Sequence, residues 1–130
     1  MTSDPETVLE VQSRCLGAIR ALRLVGELDA YTAPAAQRKL DEVISGGGAL
    51  RLIVDRTPLT FMATMGITLM MNLRAQVAGR EGRLVLVLAF HGFPRRLFEV
   101  TGLVHRFEVR ETIEEAVAVL RREGPDDGTR

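Results

Sequence analysis

Two runs of the chain, ALRLIVD (49–55) and RLVLVLA (83–89), leave little choice of fold. Each is short, bounded by turn-forming residues or glycine, and keeps its Leu, Ile and Val residues together instead of alternating them with polar ones. A strand with one wet face alternates. A strand buried on both faces does not, and burial on both faces is the habit of parallel sheets sandwiched between helices. The segment between the runs, TMGITLMMNLRAQVAG (64–79), carries apolar side chains at Ile67, Met70 and Met71 and, on an adjoining stripe, at Leu69, Leu73 and Val77. That spacing predicts a helix with a broad apolar surface. Strand, helix and strand in this order are the crossover unit of an α/β domain.

The flanks extend the pattern. Residues 6–28 favour strands, VLEVQS and AIRALRLVG about a turn near RCLG, with Ile19, Leu22 and Leu24 among the apolar positions, and read as an opening antiparallel hairpin. GELDAYTAP interrupts it, and Thr32 stands where a cap is expected for a helix that takes Pro34 in its first turn and runs to about Ile44. SGGG (45–48) ends that helix. FPRRLFEVTG (93–102) reads as a short helix ending at Gly102, HRFEV (105–109) as a short strand, and TIEEAVAVLRR (112–122) as a helix opened by a Thr112–Glu115 capping box. The predicted order is ββαβαβαβα: one α/β domain over residues 6–122, a mostly parallel sheet opened by an antiparallel hairpin, with helices after the strands. EGPDDGTR (123–130) has nothing apolar to bury and is expected to be a disordered tail.

Composition narrows the function. A chain of 130 residues holds one core. Seventeen basic and seventeen acidic residues leave no net field to draw it to nucleic acid or anionic lipid, and 5% aromatic residues without Trp leave little for a base-stacking platform. Lys39 is the sole lysine, Cys15 the sole cysteine, and His91 and His105 the sole histidines, so neither a disulfide nor a Cys/His metal site is expected. The start, MTSDPETV, has neither a basic nor an apolar leader segment, and no run is long enough to span a bilayer. A reduced, cytoplasmic protein without metal or cofactor is expected.

Catalytic motifs are missing. There is no GxGxxG, GxxxxGK[ST] or GxSxG, and SGGGAL lacks the lysine and hydroxyl of a phosphate loop. His91 and His105 have no carboxylate partner identifiable from sequence. Asp29 and Asp55 each follow an apolar strand, at the carboxyl ends where doubly wound sheets place their sites. A phosphoacceptor role for Asp55 lacks the acidic pair and the late lysine that such chemistry needs, so Asp55 reads as a loop anchor bonding backbone N–H groups. The strand-to-helix corner FMATMGI (61–67) remains. Thr64 reads as a cap of the following helix, and a phosphate there would also meet free N–H groups and the positive end of the helix dipole.

GELDAYTAP, LIVDRTPLTFMATMGI, GRLVLVLA, RRLFEVTGLVHRFEV and TIEEAVAVL, in this order and spacing, resemble the STAS domain of bacterial anti-sigma factor antagonists. The resemblance implies a non-enzymatic, cytoplasmic partner-switching module that binds an anti-sigma factor of the serine-protein-kinase type and so regulates transcription. The kinase phosphorylates a hydroxyl at the start of the second helix, and a phosphatase reverses it. Where that corner usually reads Asp-Ser-Ser-Gly or Asp-Ser-Thr-Gly, this chain has Ala63, Thr64 as acceptor, Met65 and the retained Gly66. Asp29 matches an acidic loop position used in partner contact. The implied docking surface is Asp29, Met62, Ala63, Thr64, Met65 and Gly66. Two further readings stand beside it: a scaffold that binds its partner constitutively, since Asp and Ser are lost at the corner, and a sensor of a small molecule or nucleotide. The oligomeric state, monomer or homodimer, is open.

Overall fold

A two-residue loop at Gly17–Ala18 sets the register of the opening hairpin. Gly17 has φ +67°, a conformation open to glycine at little cost, and it closes β1 (Leu9–Leu16) on β2 (Ile19–Leu28) with Leu16 opposite Ile19 and Leu9 opposite Gly26. The turn thus falls at the end of RCLG, with Arg14 to Leu16 inside the strand. The chain is seen here in a computed structural model that describes residues 9–45, 50–88, 93–100, 102 and 105–122. The glycines of SGGG, His91 and the 123–130 segment lie outside the described residues.

The other edge of β2 carries two strands in succession. β3 (Arg51–Asp55) pairs in parallel with Ile19–Arg23, and β4 (Leu59–Met62) takes over from Gly26 to Leu28, with a shift of register between Gly26 and Glu27. β5 (Arg83–Val87) pairs in parallel with β3, and β6 (Glu108–Arg110) with β5. The sheet therefore has six strands in the order β1-β2-β3-β5-β6, with β4 beside β2. The helices are α1 (Ala33–Ile44), α2 (Thr64–Gly79), α3 (Phe93–Val100) and α4 (Ile113–Arg122). β4 is one strand more than the sequence pattern predicts. Its four residues, LTFM, follow Pro58 and carry no alternation of their own, so their strand conformation comes from pairing with β2.

Both faces of the sheet are covered, which explains the unbroken apolar runs. Leu52 and Val54 of β3 join Leu84 and Leu86 of β5 in a core that includes Leu40 of α1 and Leu69, Met70 and Leu73 of α2. Ile53, Val85 and Val87 point the other way, into a second cluster with Ala116 and Leu120 of α4. The capping box of α4 is present in altered form. Thr112 Oγ1 accepts the Glu115 N–H at 3.1 Å, while Glu115 Oε1 reaches back to the N–H of Glu111, one residue beyond the usual partner.

Gly66, in the first turn of α2, lets that helix sit close on the sheet. A Cβ at this position would fall 2.6 Å from Met62 Cγ and 3.0 Å from Leu28 Cδ2. Gly66→Val should therefore lower stability in urea denaturation by about 2 kcal/mol through overpacking.

Between β3 and β4 the chain buries a cation. Arg56 has no exposed surface; its guanidinium lies 4.8 Å from the centroid of the Phe98 ring of α3, and Nη2 contacts Met62 Sδ. Nε and Nη1 have no hydrogen-bond partner. Desolvation by burial lowers its pKa to about 10. Below that pH the group is charged both folded and unfolded, and the burial penalty, roughly 3 kcal/mol, is felt in full. Above it the folded form gives up its proton before the unfolded form does, and stability recovers. Arg56→Met should consequently be more stable than the parent by about 1–3 kcal/mol at pH 7. The difference between the two proteins, read by urea denaturation as a pH series, should shrink above pH 10.

Candidate functional site

Strand pairing brings two corners of the chain together. Leu28, the last residue of β2, lies opposite Met62, the last of β4, and the Ala63 N–H donates to the Leu28 carbonyl at 2.9 Å. Each strand then turns into a helix, the first through Asp29 to Thr32 and the second through Ala63. Asp29 and Thr64 are thus set at neighbouring carboxyl ends of parallel strands, the position at which open α/β sheets present their sites.

Asp29 organises the first corner. Its Oδ1 accepts the backbone N–H groups of Tyr31 and Thr32, each at 3.0 Å, and its carbonyl accepts the Ala33 N–H at 2.8 Å. Local bonding of this kind is what a short Asp side chain after a strand does best, and it leaves the carboxylate at the positive end of α1. The expected cap by Thr32 is not made. Thr32 already has a helical backbone, φ −91° and ψ −16°, with no side-chain cap bond. Its hydroxyl turns back instead, donating to the Glu27 carbonyl and accepting the Asp29 N–H, both at 3.0 Å.

The second corner also departs from expectation. Ala63, extended at φ −93° and ψ 176°, occupies the cap position of α2, and no side chain caps the helix. Thr64 is the first helical residue rather than the cap, so its hydroxyl belongs to the turn it was expected to close. It is exposed and makes no hydrogen bond. The Gly66 N–H bonds the Ala63 carbonyl at 2.8 Å, a tight opening turn, and the other N–H groups of the first turn are left without a capping side chain. The first turn contains no acidic residue. An anion at Thr64 would meet the helix dipole unopposed on its own element.

The remaining expected site residues divide. Met65 is 46% exposed beside Thr64, and Ala63 is half-buried. Met62, expected at the surface, is instead core: it is 1% exposed, because β4 turns it toward Leu28 and α2, with its sulfur on Arg56. Gly66 is buried too, and its contribution is the close approach of α2. Asp55 is buried, where its Oδ1 holds the Thr57 N–H at 3.0 Å and the Thr57 hydroxyl at 2.7 Å, and Oδ2 lies 3.8 Å from Arg23 Nε. His105 is exposed in a turn before β6. Among the described residues no group of acidic, Cys or His side chains is arranged to hold a metal, and no helix is long and apolar enough to cross a membrane.

Sequence reasoning missed Tyr31 and Phe61, which are 76% and 43% exposed on the two corner segments. With Met65 they are three of the four large apolar side chains exposed among the described residues. Exposed aromatic and Met side chains beside one polar corner are the composition of a protein-docking surface. The available signal was their position, each within three residues of Asp29 or Thr64.

Comparison with known proteins bears on the family and the fold. The STAS domain family matches residues 9–116. The anti-sigma-B factor antagonist of Listeria monocytogenes is 34% identical over 88 residues, 67% of this chain and 75% of that protein. An anti-sigma factor antagonist from Mycobacterium paratuberculosis superposes with a TM-score of 0.80 at 21% identity, covering 92% of this chain and 99% of that one. The anti-sigma factor antagonist SpoIIAA in its unphosphorylated form superposes with a TM-score of 0.72 at 25% identity, over 86% and 96% of the two chains. By the extent of the family match, and by a sheet and opening hairpin that agree with it, the chain belongs to the STAS domain family.

Proposed function

We propose that the chain is an anti-sigma factor antagonist, a binding module without catalytic activity of its own. Its partner is an anti-sigma factor of the serine-protein-kinase type, and capture of that partner frees a sigma factor. The observation that carries the reading is the exposed, unbonded Thr64 hydroxyl at the uncapped start of α2, flanked by exposed Met65 and set beside Asp29. The names of the relatives support the choice of partner, and SpoIIAA's description in an unphosphorylated form supports regulation by phosphate. Asp29, Thr64 and Met65, with Tyr31 and Phe61, form the docking face. Met62 and Gly66 hold that face in place from beneath.

Phosphorylation of Thr64 adds about −1.5 to −2 charges. The free N–H groups of α2 tolerate that charge, so the domain stays folded, while a partner surface lying on Met65 and Tyr31 would have to desolvate it. A phosphatase restores binding. Incubation with ATP and the kinase-type partner should add one phosphate by intact mass, absent in Thr64→Ala, and Thr64→Glu should weaken binding at least about tenfold, ~1.4 kcal/mol. A phosphate on another residue would sink the switch. Failure of the unmodified protein to bind any such kinase would sink the antagonist role.

Ala63 and Met65 favour a second reading. Ala63 supplies no carboxylate and Met65 no second hydroxyl, and Met65 presents an apolar contact in its place. A constitutive binder follows from that exchange. In that case Thr64→Glu still weakens binding, and kinase with ATP leaves the mass unchanged.

A further inference from the structure

The two ends of the strand order, β1 and β6, are not alike. β6 is three residues long, too short to template another strand. β1 runs for eight residues, pairs with β2 residue for residue without a bulge, and contains no Pro and no Lys. Bulges, prolines and charges, lysine above all, keep edge strands from pairing with other chains. β1 has no bulge, Pro or Lys, and its two charged side chains, Glu10 and Arg14, are of opposite sign. The loop geometry also fixes which backbone groups face outward. A two-residue hairpin makes Leu16 and Ile19 a hydrogen-bonded pair. Alternation then directs the N–H and C=O groups of Glu10, Gln12, Arg14 and Leu16 toward β2, and those of Leu9, Val11, Ser13 and Cys15 to the free edge.

We propose that this edge pairs with a second copy of the chain, antiparallel about a two-fold axis at Gln12. Only odd-numbered residues offer free backbone groups, so hydrogen-bonded pairs between copies must join odd to odd. The register centred on Gln12 engages all of them, Leu9 with Cys15 of the second copy and Val11 with Ser13. It also sets Glu10 opposite Arg14 of the second copy, and Arg14 opposite its Glu10, in the closer, non-hydrogen-bonded positions where opposite charges favour pairing. The neighbouring allowed registers, centred on Val11 or Ser13, place Gln12 opposite Glu10 or Arg14 and lose both ion pairs. Glu10 and Arg14 are exposed, and neither has an ion pair or side-chain hydrogen bond within its own chain. On the opposite face of the strand, Leu9 and Val11 line a shallow groove with Tyr31, Ala35 and Ala36. The small side chains of Ser13 and Cys15 from the second copy fit beside them. This inference does not rest on the antagonist reading.

Sedimentation equilibrium from micromolar to millimolar concentration tests it. The parent protein should dimerise, and Arg14→Glu should raise the dimer dissociation constant at least about tenfold by setting Glu against Glu. Combining it with Glu10→Arg should restore the parent value, because the ion pairs re-form with their signs exchanged. A folding defect could not be repaired in that way. In a Cys15→Ser background, Gln12→Cys should oxidise to a disulfide-linked dimer, since that residue faces itself across the axis, and Glu10→Cys should not. A parent protein monomeric at every concentration would overturn the proposal. So would a dimer indifferent to Arg14→Glu, one that the second reversal does not restore, or cross-linking through Glu10→Cys in place of Gln12→Cys.

Discussion

One edge of β2 has to satisfy two partners in turn, and most of the molecule follows from how that is done. β3 occupies the first half of the edge and β4 the second, so the chain must leave the sheet after Asp55 and re-enter at Leu59. The detour is held by local bonds. Asp55 fixes Thr57, the Arg56 N–H donates to the Val87 carbonyl at 3.0 Å, and the Leu59 N–H donates to the Arg56 carbonyl at 3.1 Å. Because β4 resumes alongside β2, its end falls level with Leu28, and α2 begins beside the loop that begins α1. A single uninterrupted strand would have carried the second helix away from Asp29. The position of the proposed docking face is therefore a product of backbone pairing, which leaves the side chains on it free for contact.

The same detour explains the least favourable feature of the interior. Arg56 is carried inward at the break, among Met62, Phe98 and the ends of the strands, with two of its nitrogens unbonded. A cation–π contact with a desolvated ring returns about 2 kcal/mol, less than full desolvation of a guanidinium removes. What the arrangement does provide is connection. Through one side chain, β4 beneath the corner and α3 at the neighbouring strand end share a contact that no apolar residue would make directional.

The broad plan was legible because burial on both faces leaves a mark no other environment leaves: LIV in β3 and LVLV in β5 admit no wet face. The 64–79 helix was legible in extent, though not in which residue caps it, since its apolar stripes end before Arg80 and Gly82. β4 was not. Four residues paired at one edge draw their conformation from a strand more than thirty positions earlier, and local pattern carries no record of that. The two capping errors differ in cause. Thr32 stands at the cap position, but its backbone is already helical and its hydroxyl is engaged by Glu27 and Asp29, whereas α2 begins with Thr64 itself, one residue before its expected first turn. In the site, Asp29, Thr64 and Met65 lie at the surface, whereas Met62 does not, because the strand that buries it was itself unseen. Arg56 gave no warning, since an arginine after an aspartate at a strand end reads as a solvated loop.

The absence of a cap at α2 has a consequence for time. A hydroxyl that holds no part of the helix can gain or lose a phosphate without any internal bond being broken or remade. The corner then has no slow rearrangement of its own to wait for, and no memory of its previous state. Under the proposed switch, its response would be as fast as the modifying enzymes, and the delay in a circuit built on it would reside in how long the partner stays bound.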